Sequence, residues 1–288
     1  MRKTAVMTDS NSGLTPDEGK RSGIYILPMP VMIDGKTYYE NVDITEKEFY
    51  DMQAAGAEVT SSQPSPEAVM GMWKTILKEY EEVVYIPMSS GLSGSCQSAA
   101  VFAQDFEGRV QVVDNCRISV TQMQSVYDAK KLADQGMGAA EIKNLLEQEA
   151  LDATIYISVD TLEYLKKGGR ITPAAAALGT VLRIKPVMTI QGGKLDAYTK
   201  VRGTKAAFRT MCKALHHDME TRLKSLHERG ELCLGMAYTR LTEEEVKYWK
   251  EEMKKEFPGE TILIGPLAMS IGCHTGPGAL GVGAVRKK

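Results

Sequence analysis

Short apolar β runs alternate with helical patterns along almost the whole 288-residue chain, and that alternation restricts the fold more than any other feature. Runs over 5–8, 24–33, 83–87, 110–114, 154–159, 185–190, 194–201, 232–238 and 261–264 read as strands. Helical spacing covers 46–55, 66–79, 95–106, 118–135, 139–149, 173–183, 203–228 and 242–256. Strands separated by helices pair through crossovers, which builds parallel βαβ units. The rhythm breaks after Val159. Pro186 to Val201 reads as a hairpin around Gly192-Gly193, which brings an antiparallel element into the second half. The expected fold is α/β with two domains: an N-terminal, mostly parallel Rossmann-like sheet with flanking helices, and a C-terminal mixed α/β domain. The boundary is placed near Asp152 to Asp160, giving residues 1–155 and 156–288, with the ligand between the domains.

Composition excludes several function classes. Charged residues make up 25% and hydrophobic ones 43%, as in an ordinary soluble globular protein. A net charge of -2 supplies no field that draws in nucleic acid or a membrane surface, and 7% aromatic content leaves little for base stacking. Neither nucleic acid nor stable membrane insertion is expected. Five scattered cysteines with no CxxC pair suit reduced thiols. The N-terminus runs straight into a strand-like segment without a signal-peptide pattern, so the expected location is the cytoplasm.

The segment Val83 to Ala100 holds the strongest local signal. An apolar β run ends in Ser89-Ser90-Gly91-Leu92-Ser93-Gly94-Ser95, and a small-residue helix follows at once. Hydroxyls and unpaired amides thus meet at a helix N-terminus, where an anion is stabilised. No Lys or Arg occurs over 91–103, so a single carboxylate suits this loop better than a triphosphate.

Three further polar loops follow apolar runs: Thr8-Asp9-Ser10-Asn11-Ser12, Thr60-Ser61-Ser62-Gln63-Pro64-Ser65-Pro66, and Gly272-Cys273-His274-Thr275-Gly276-Pro277-Gly278. Helix capping accounts for Ser65 and Ser12, and Asp9 or Ser10 suits a cap as well. Ser61 and Ser62 fit a cap and an anchor equally. Ser93 lies in a loop with more hydroxyls than one cap needs, which favours a binding role. His274, in a Gly/Pro-rich loop, reads as a site residue, whereas His216, His217 and His227 sit on a charged helical pattern as solvated side chains. In Leu165-Lys166-Lys167-Gly168-Gly169-Arg170 a helix ends at its glycines. Lys166 and Lys167 then satisfy its last carbonyls, and Arg170, beyond them, is free to face a ligand. There is no GxxxxGK[ST], no GxGxxG after the first strand, no HExxH and no metal-ligand cluster, so neither a metal nor another cofactor is expected.

These loops, in this order, resemble the DegV family of bacterial fatty-acid-binding proteins. The matching pieces are Thr8-Asp9-Ser10, Asp34-Gly35 with Val42-Asp43-Ile44, Ser62-Gln63-Pro64-Ser65-Pro66, and Ser89-Ser90-Gly91-Leu92-Ser93-Gly94. Later come Leu165 to Ile171, Ile184-Lys185-Pro186, and His274-Thr275-Gly276-Pro277-Gly278. They extend from residue 8 to residue 278. The resemblance implies two α/β domains enclosing one long-chain fatty acid. Its carboxylate would be held by Ser61 or Ser62, by Ser93 and, close by, by His274. Arg170 matches an arginine associated with acyl-phosphate transfer. Family members act as the acyl-carrying subunit of a fatty acid kinase whose separate subunit binds ATP. The chain departs from the family pattern at Ser61, where Thr is common, at Asn115, where Ser is usual, and at Gly13, where an acidic residue often stands.

The chemistry is coherent with that implication. Each buried CH₂ contributes roughly 0.8 kcal/mol, while the carboxylate must regain hydrogen bonds for its lost hydration. Serine hydroxyls and helix amides supply donors without a buried counter-charge. The 174–182 helix and Met29, Met32, Met188 and Met269 are candidates for the apolar lining. Two other readings remain: a serine hydrolase using Ser93, Asp114 and His274, whose chain order matches α/β-hydrolases although Gly91-Leu92-Ser93-Gly94-Ser95 is no GxSxG elbow, and a regulatory protein with an incidental lipid.

Overall fold

A computed structural model describes residues 2–179 and 184–288. Its strands are β1 (Arg2–Asp9), β2 (Tyr25–Leu27), β3 (Pro30–Ile33), β4 (Lys36–Tyr39), β5 (Val59–Ser61), β6 (Tyr80–Ile86), β7 (Val110–Val112), β8 (Ala153–Ser158), β9 (Ile184–Ile190), β10 (Asp196–Arg202), β11 (Leu232–Tyr238), β12 (Ile262–Pro266) and β13 (Leu280–Arg286). Its helices are α1 (Pro16–Ser22), α2 (Glu46–Ala54), α3 (Pro66–Ile76), α4 (Ser95–Phe102), α5 (Ser119–Asp134), α6 (Ala139–Gln148), α7 (Glu163–Gly168), α8 (Pro173–Ala177), α9 (Thr204–Glu220), α10 (Lys224–Glu228), α11 (Glu243–Glu256) and α12 (Met269–Thr275).

The first sheet runs in the order β2-β1-β6-β7, parallel throughout. Alternate side chains of a strand point to opposite faces, and here both faces are covered. Met7, Val83 and Tyr85 pack under Val69 and Trp73 of α3 and Ala99 of α4. Val6, Val84 and Ile86 pack on the other side, under Val126 of α5 and Ile142 of α6. This is why these strands read as continuous apolar runs rather than as alternating ones.

The second sheet runs β10-β9-β8-β13-β11-β12, antiparallel except for the β11–β12 pair. One face, with Tyr156, Val187, Leu234, Met236 and Val282, is sealed by Phe208, Met211 and Leu215 of α9 and by Trp249 and Met253 of α11. The other face turns Ile155, Ile157, Ile190 and Ala237 towards the ends of the first sheet, and a cavity lies there. A small sheet, β4-β3-β5, packs through Val31, Ile33 and Val59 against Phe49 and Tyr50 of α2 and Met269 and Cys273 of α12.

Four expectations need correction. The run 24–33 is two strands in different sheets, because Pro28 carries no amide donor and the chain turns out of the first sheet before β3. The helix expected over 203–228 ends at Thr221, leaving α9 and α10. The loop expected around His274 is α12, so the histidine stands in the last turn of a short helix. The central strand β13 has no counterpart in the sequence reading, and neither do β4, β5 and α1. Leu-Gly-Val-Gly-Ala-Val-Arg is poor in large β-formers and pairs well only because β8 and β11 flank it. Of the helix expected over 173–183, α8 forms its start, and residues 180–183 lie outside the described residues. The hairpin β9–β10 and the end of α7 at its glycines are as expected.

Candidate functional site

The cavity measures about 340 Å³, within the range of small-molecule pockets. Its walls are largely aliphatic, with Met29, Leu92, Ile157, Leu165, Ile190 and Leu267 among the lining side chains. Ser61, Ser62, Ser93, Arg170 and His274 all line this same cavity. They come from four separate stretches of chain.

The loop after β6 is built by its own hydrogen bonds. The amides of Leu92 and Ser93 both donate to Ser89 O at 3.1 Å, and Ser90 N donates to Asp114 Oδ1 at 3.2 Å. Ser89 Oγ donates to Gly192 O at 2.6 Å, tying the loop to the tip of the β9–β10 hairpin. Gly91 is required at that contact, since a Cβ there would stand 2.5 Å from Gly192 O and 2.7 Å from Gly193 Cα. Ser93 Oγ accepts from Ser95 N at 3.2 Å and shares a hydrogen bond with Ser95 Oγ at 2.9 Å, at the first turn of α4. Asp9, at the end of β1, accepts from Asn11 N, Met88 N and Gln122 Nε2, so it caps the following 3-10 turn and pins the approach to the loop.

Ser61 ends β5, and Ser62 follows at the exposed rim. Gln63 lies against Gly94, where a Cβ would meet its Nε2 at 2.6 Å, and its Oε1 accepts from Ser98 Oγ at 2.9 Å. The two serine loops therefore touch. Ser65 caps α3, accepting from Ala68 N at 3.2 Å.

His274 Nε2 lies 2.8 Å from Ser61 Oγ. The other side of the ring is pressed on Gly168, where a Cβ would stand 2.2 Å from Nδ1. Arg170 closes the group: its guanidinium donates to Gly168 O and, through Nε, to Leu92 O at 3.2 Å. Burial, followed by the positive charge of Arg170, pushes the His274 pKa down to about 4. At neutral pH the imidazole is thus uncharged, with one nitrogen a donor and the other an acceptor. The assembled end of the cavity offers hydroxyls, a neutral imidazole and one half-buried guanidinium, the donor set a carboxylate needs when it leaves water.

The serine-hydrolase reading fails on this geometry. His274 engages Ser61 rather than Ser93, Asp114 accepts from the Ser90 amide, and the His274 Nδ1 side faces Gly168 instead of a carboxylate. No proton relay links Ser93, Asp114 and His274 among the described residues. Of the proposed apolar lining, Met29 alone among the described residues reaches the cavity. Met32 lies on β3, Met269 packs against α2, Met188 sits in the core, and the alanines of α8 do not line the cavity. His217 is exposed as expected, but His216 stacks on Phe257 and His227 bonds Glu260 at 3.1 Å.

Asn11 reaches the cavity from the polar loop after β1, while Ser119, Ser270 and the Gly281–Gly283 pair are lining residues that the sequence did not point to. The spacing of glycines along 276–283 was the available signal, because an alternating Gly-x-Gly strand leaves one bare face. Among the described residues no group of three or more His, Cys, Asp or Glu is placed to hold a metal ion, and no helix is long and apolar enough to cross a membrane.

The model of the DegV family, described as uncharacterised proteins of that family, matches residues 3–287. A DegV domain-containing protein of Caldanaerobacter subterraneus is 31% identical over 284 residues, covering 98% of each chain. A solved DegV family protein from Thermus thermophilus, described by its fatty acid binding, superposes with a TM-score of 0.87 at 35% identity over 99% of both chains. DegV of Bacillus subtilis, described as a fatty acid binding protein, gives 0.85 at 25% identity over 100% of both. With a family match across nearly its full length, the chain belongs to the DegV family.

Proposed function

We propose that the protein binds one long-chain fatty acid in this cavity, carboxylate at the serine–histidine end and tail along the aliphatic walls. The observation that carries the reading is the convergence of Ser61, Ser93, His274 and Arg170 on one cavity whose walls are largely aliphatic. Similar solved proteins described as fatty-acid-binding support it. In this reading Ser61, Ser62 and Ser93 donate to the carboxylate and His274 adds a further hydrogen bond. Residues 1–155 and 156–288 act as two domains closing on the ligand. A tail of some fourteen methylenes would contribute on the order of 11 kcal/mol before ordering costs.

The protein then serves as a carrier rather than an enzyme in its own right, needing no cofactor. It presents the carboxylate to a separate ATP-dependent kinase subunit for acyl-phosphate formation. There a carboxylate oxygen attacks the γ-phosphorus, the bond to the bridging oxygen breaks, and ADP leaves. Arg170, half-buried in the cavity wall beside His274, would stabilise charge on the transferring phosphoryl group. Organic extraction of the purified chain followed by mass spectrometry tests the first step. One acyl chain per protein, exchangeable and saturable after delipidation, is expected. A protein that neither carries nor rebinds any fatty acid refutes the proposal.

A further inference from the structure

Beneath the head-group end lie two carboxylates, Asp9 and Glu40, both fully shielded from solvent. No ion pair among the described residues neutralises either. Glu40 follows β4 and reaches across to α12. Its Oε2 accepts from Met269 N at 2.7 Å, the first amide of that helix. Its Oε1 accepts from Ser10 Oγ at 2.7 Å, while Ser10 Oγ itself accepts from Met29 N at 2.9 Å.

With the Asn11 carbonyl oxygen turned toward Ser270, the remaining contact is one proton short if Glu40 is ionised. Ser270 Oγ lies 2.7 Å from Asn11 Oδ1 and 3.0 Å from Glu40 Oε1. A hydroxyl has one proton and cannot donate to both oxygens. Two arrangements supply the proton: a protonated Glu40 donates to Ser270 Oγ while Ser270 donates to Asn11 Oδ1, or, with Glu40 ionised, a turned Asn11 amide donates through Nδ2 to Ser270 Oγ while Ser270 donates to Glu40 Oε1. Both Asn11 and Ser270 line the cavity, and Ser270 stands one turn before His274 on α12.

We propose that Glu40 is a positioning residue for the head-group site: it clamps the first turn of α12 from the buried side, and its proton sets how firmly that site holds an anion. The inference rests on the fatty-acid reading for its ligand, though not for its geometry. Protonated, Glu40 adds no charge beneath the site and completes the relay. Ionised, it places a negative charge under the ligand carboxylate and requires the Asn11 amide at the cavity wall to turn. Burial pushes the Glu40 pKa up to about 7. The other titratable groups facing it are Asp9 from β1, Tyr50 from α2 and Cys273 from α12. Burial holds the Tyr50 phenol protonated and raises the Cys273 thiol to about 12, so neither titrates near neutrality. Burial raises Asp9 as well, and it is unchanged in the variant below.

The test follows the His274 ring and the Glu40 carboxyl carbon by NMR in the ligand-free full chain as pH is varied, alongside oleate affinity. The ring must move with the midpoint of Glu40, because its own pKa of about 4 lies well below. Oleate binding must weaken roughly tenfold as pH rises through that midpoint, the effect of one added charge at moderate separation. Glu40→Gln keeps an acceptor for Met269 N and donates to Ser270, so it must bind oleate tightly with a flat profile, and its His274 ring must lose the inflection. A His274 ring that stays still while the wild-type Glu40 carboxyl titrates overturns the proposal, whether or not the variant folds. So does a folded Glu40→Gln protein with the wild-type profile. A wild type that binds no oleate while its ring tracks Glu40 sinks the fatty-acid reading and leaves the Glu40 inference standing.

Discussion

Gly168→Ala is the sharpest single perturbation of the proposed head-group site. Gly168 ends α7 against the His274 ring, and a Cβ there would stand 2.2 Å from Nδ1. An ordinary contact needs about 3.5 Å, so the ring must yield by about 1.3 Å. It cannot retreat along its own plane, because Ser61 Oγ already lies 2.8 Å from Nε2 on the far side. The ring must therefore swing out of the pair. Gly168 is not among the positive-φ glycines, so alanine suits its backbone and is favoured in a helix by up to about 1 kcal/mol. The fold should thus survive while the site does not. Losing one hydrogen bond to a charged carboxylate costs about 1.5–3 kcal/mol, or roughly a 10- to 150-fold weaker fatty acid complex. Displacement of a fluorescent fatty acid, run beside a thermal melt, reads both quantities. A variant with wild-type affinity and an unchanged melt would show that His274 and Gly168 do not form the clamp described here.

Other perturbations separate the remaining roles. Ser93→Ala and Ser61→Ala should each weaken fatty acid binding by about 1.5–3 kcal/mol in equilibrium titrations, with melts close to wild type; unchanged affinity in both would remove the serines from the anchor. The pH dependence of stability has a definite sign at His274. Its folded pKa of about 4 lies below the unfolded 6.5, so the unfolded chain binds more protons in that window. Stability should therefore fall as pH drops from about 6.5 towards about 4, by at most about 3 kcal/mol from this group. His274→Gln should flatten that slope in urea melts at matched pH, and an identical slope would contradict the buried neutral ring. Gly91→Ala should destabilise by about 1–3 kcal/mol, since the atoms it meets are backbone and cannot rotate away; a melt within error of wild type would mean that the hairpin tip and the serine loop are free to part.

The parts of the site that were legible in the sequence are those whose chemistry is local. The Ser89 to Ser95 loop declares itself because strand, turn and helix follow one another within a few residues, and the hydroxyls exceed what capping uses. Arg170 was legible because it falls just past the glycines that end α7. Residues that become important only across the fold were not legible. Glu40 stands among Tyr39, Asn41 and other surface-like neighbours, yet α12 buries it. Ser270 shows no local sign of lining a cavity, and β13 has too little β-forming bulk to be seen as a strand, so the glycine spacing that bares one of its faces went unread. Met188 and the α8 alanines carried the opposite error: apolar character alone does not tell a core position from a cavity wall.

Hydrophobic periodicity is a property of the chain, so the α/β class, the parallel first sheet and the hairpin in the second half were determined before any long-range contact formed. The serine and glycine loops likewise carried their surplus of hydroxyl and amide donors in their own covalent chemistry. Tertiary structure alone decided that Ser61 meets His274 across 213 residues of sequence, and that Glu40 lies under α12. Each of those contacts depends on how three sheets pack, and packing is set by the summed shape of many side chains rather than by any short segment. A carboxylate that looks solvent-facing in the sequence can therefore end as the buried support of a binding site.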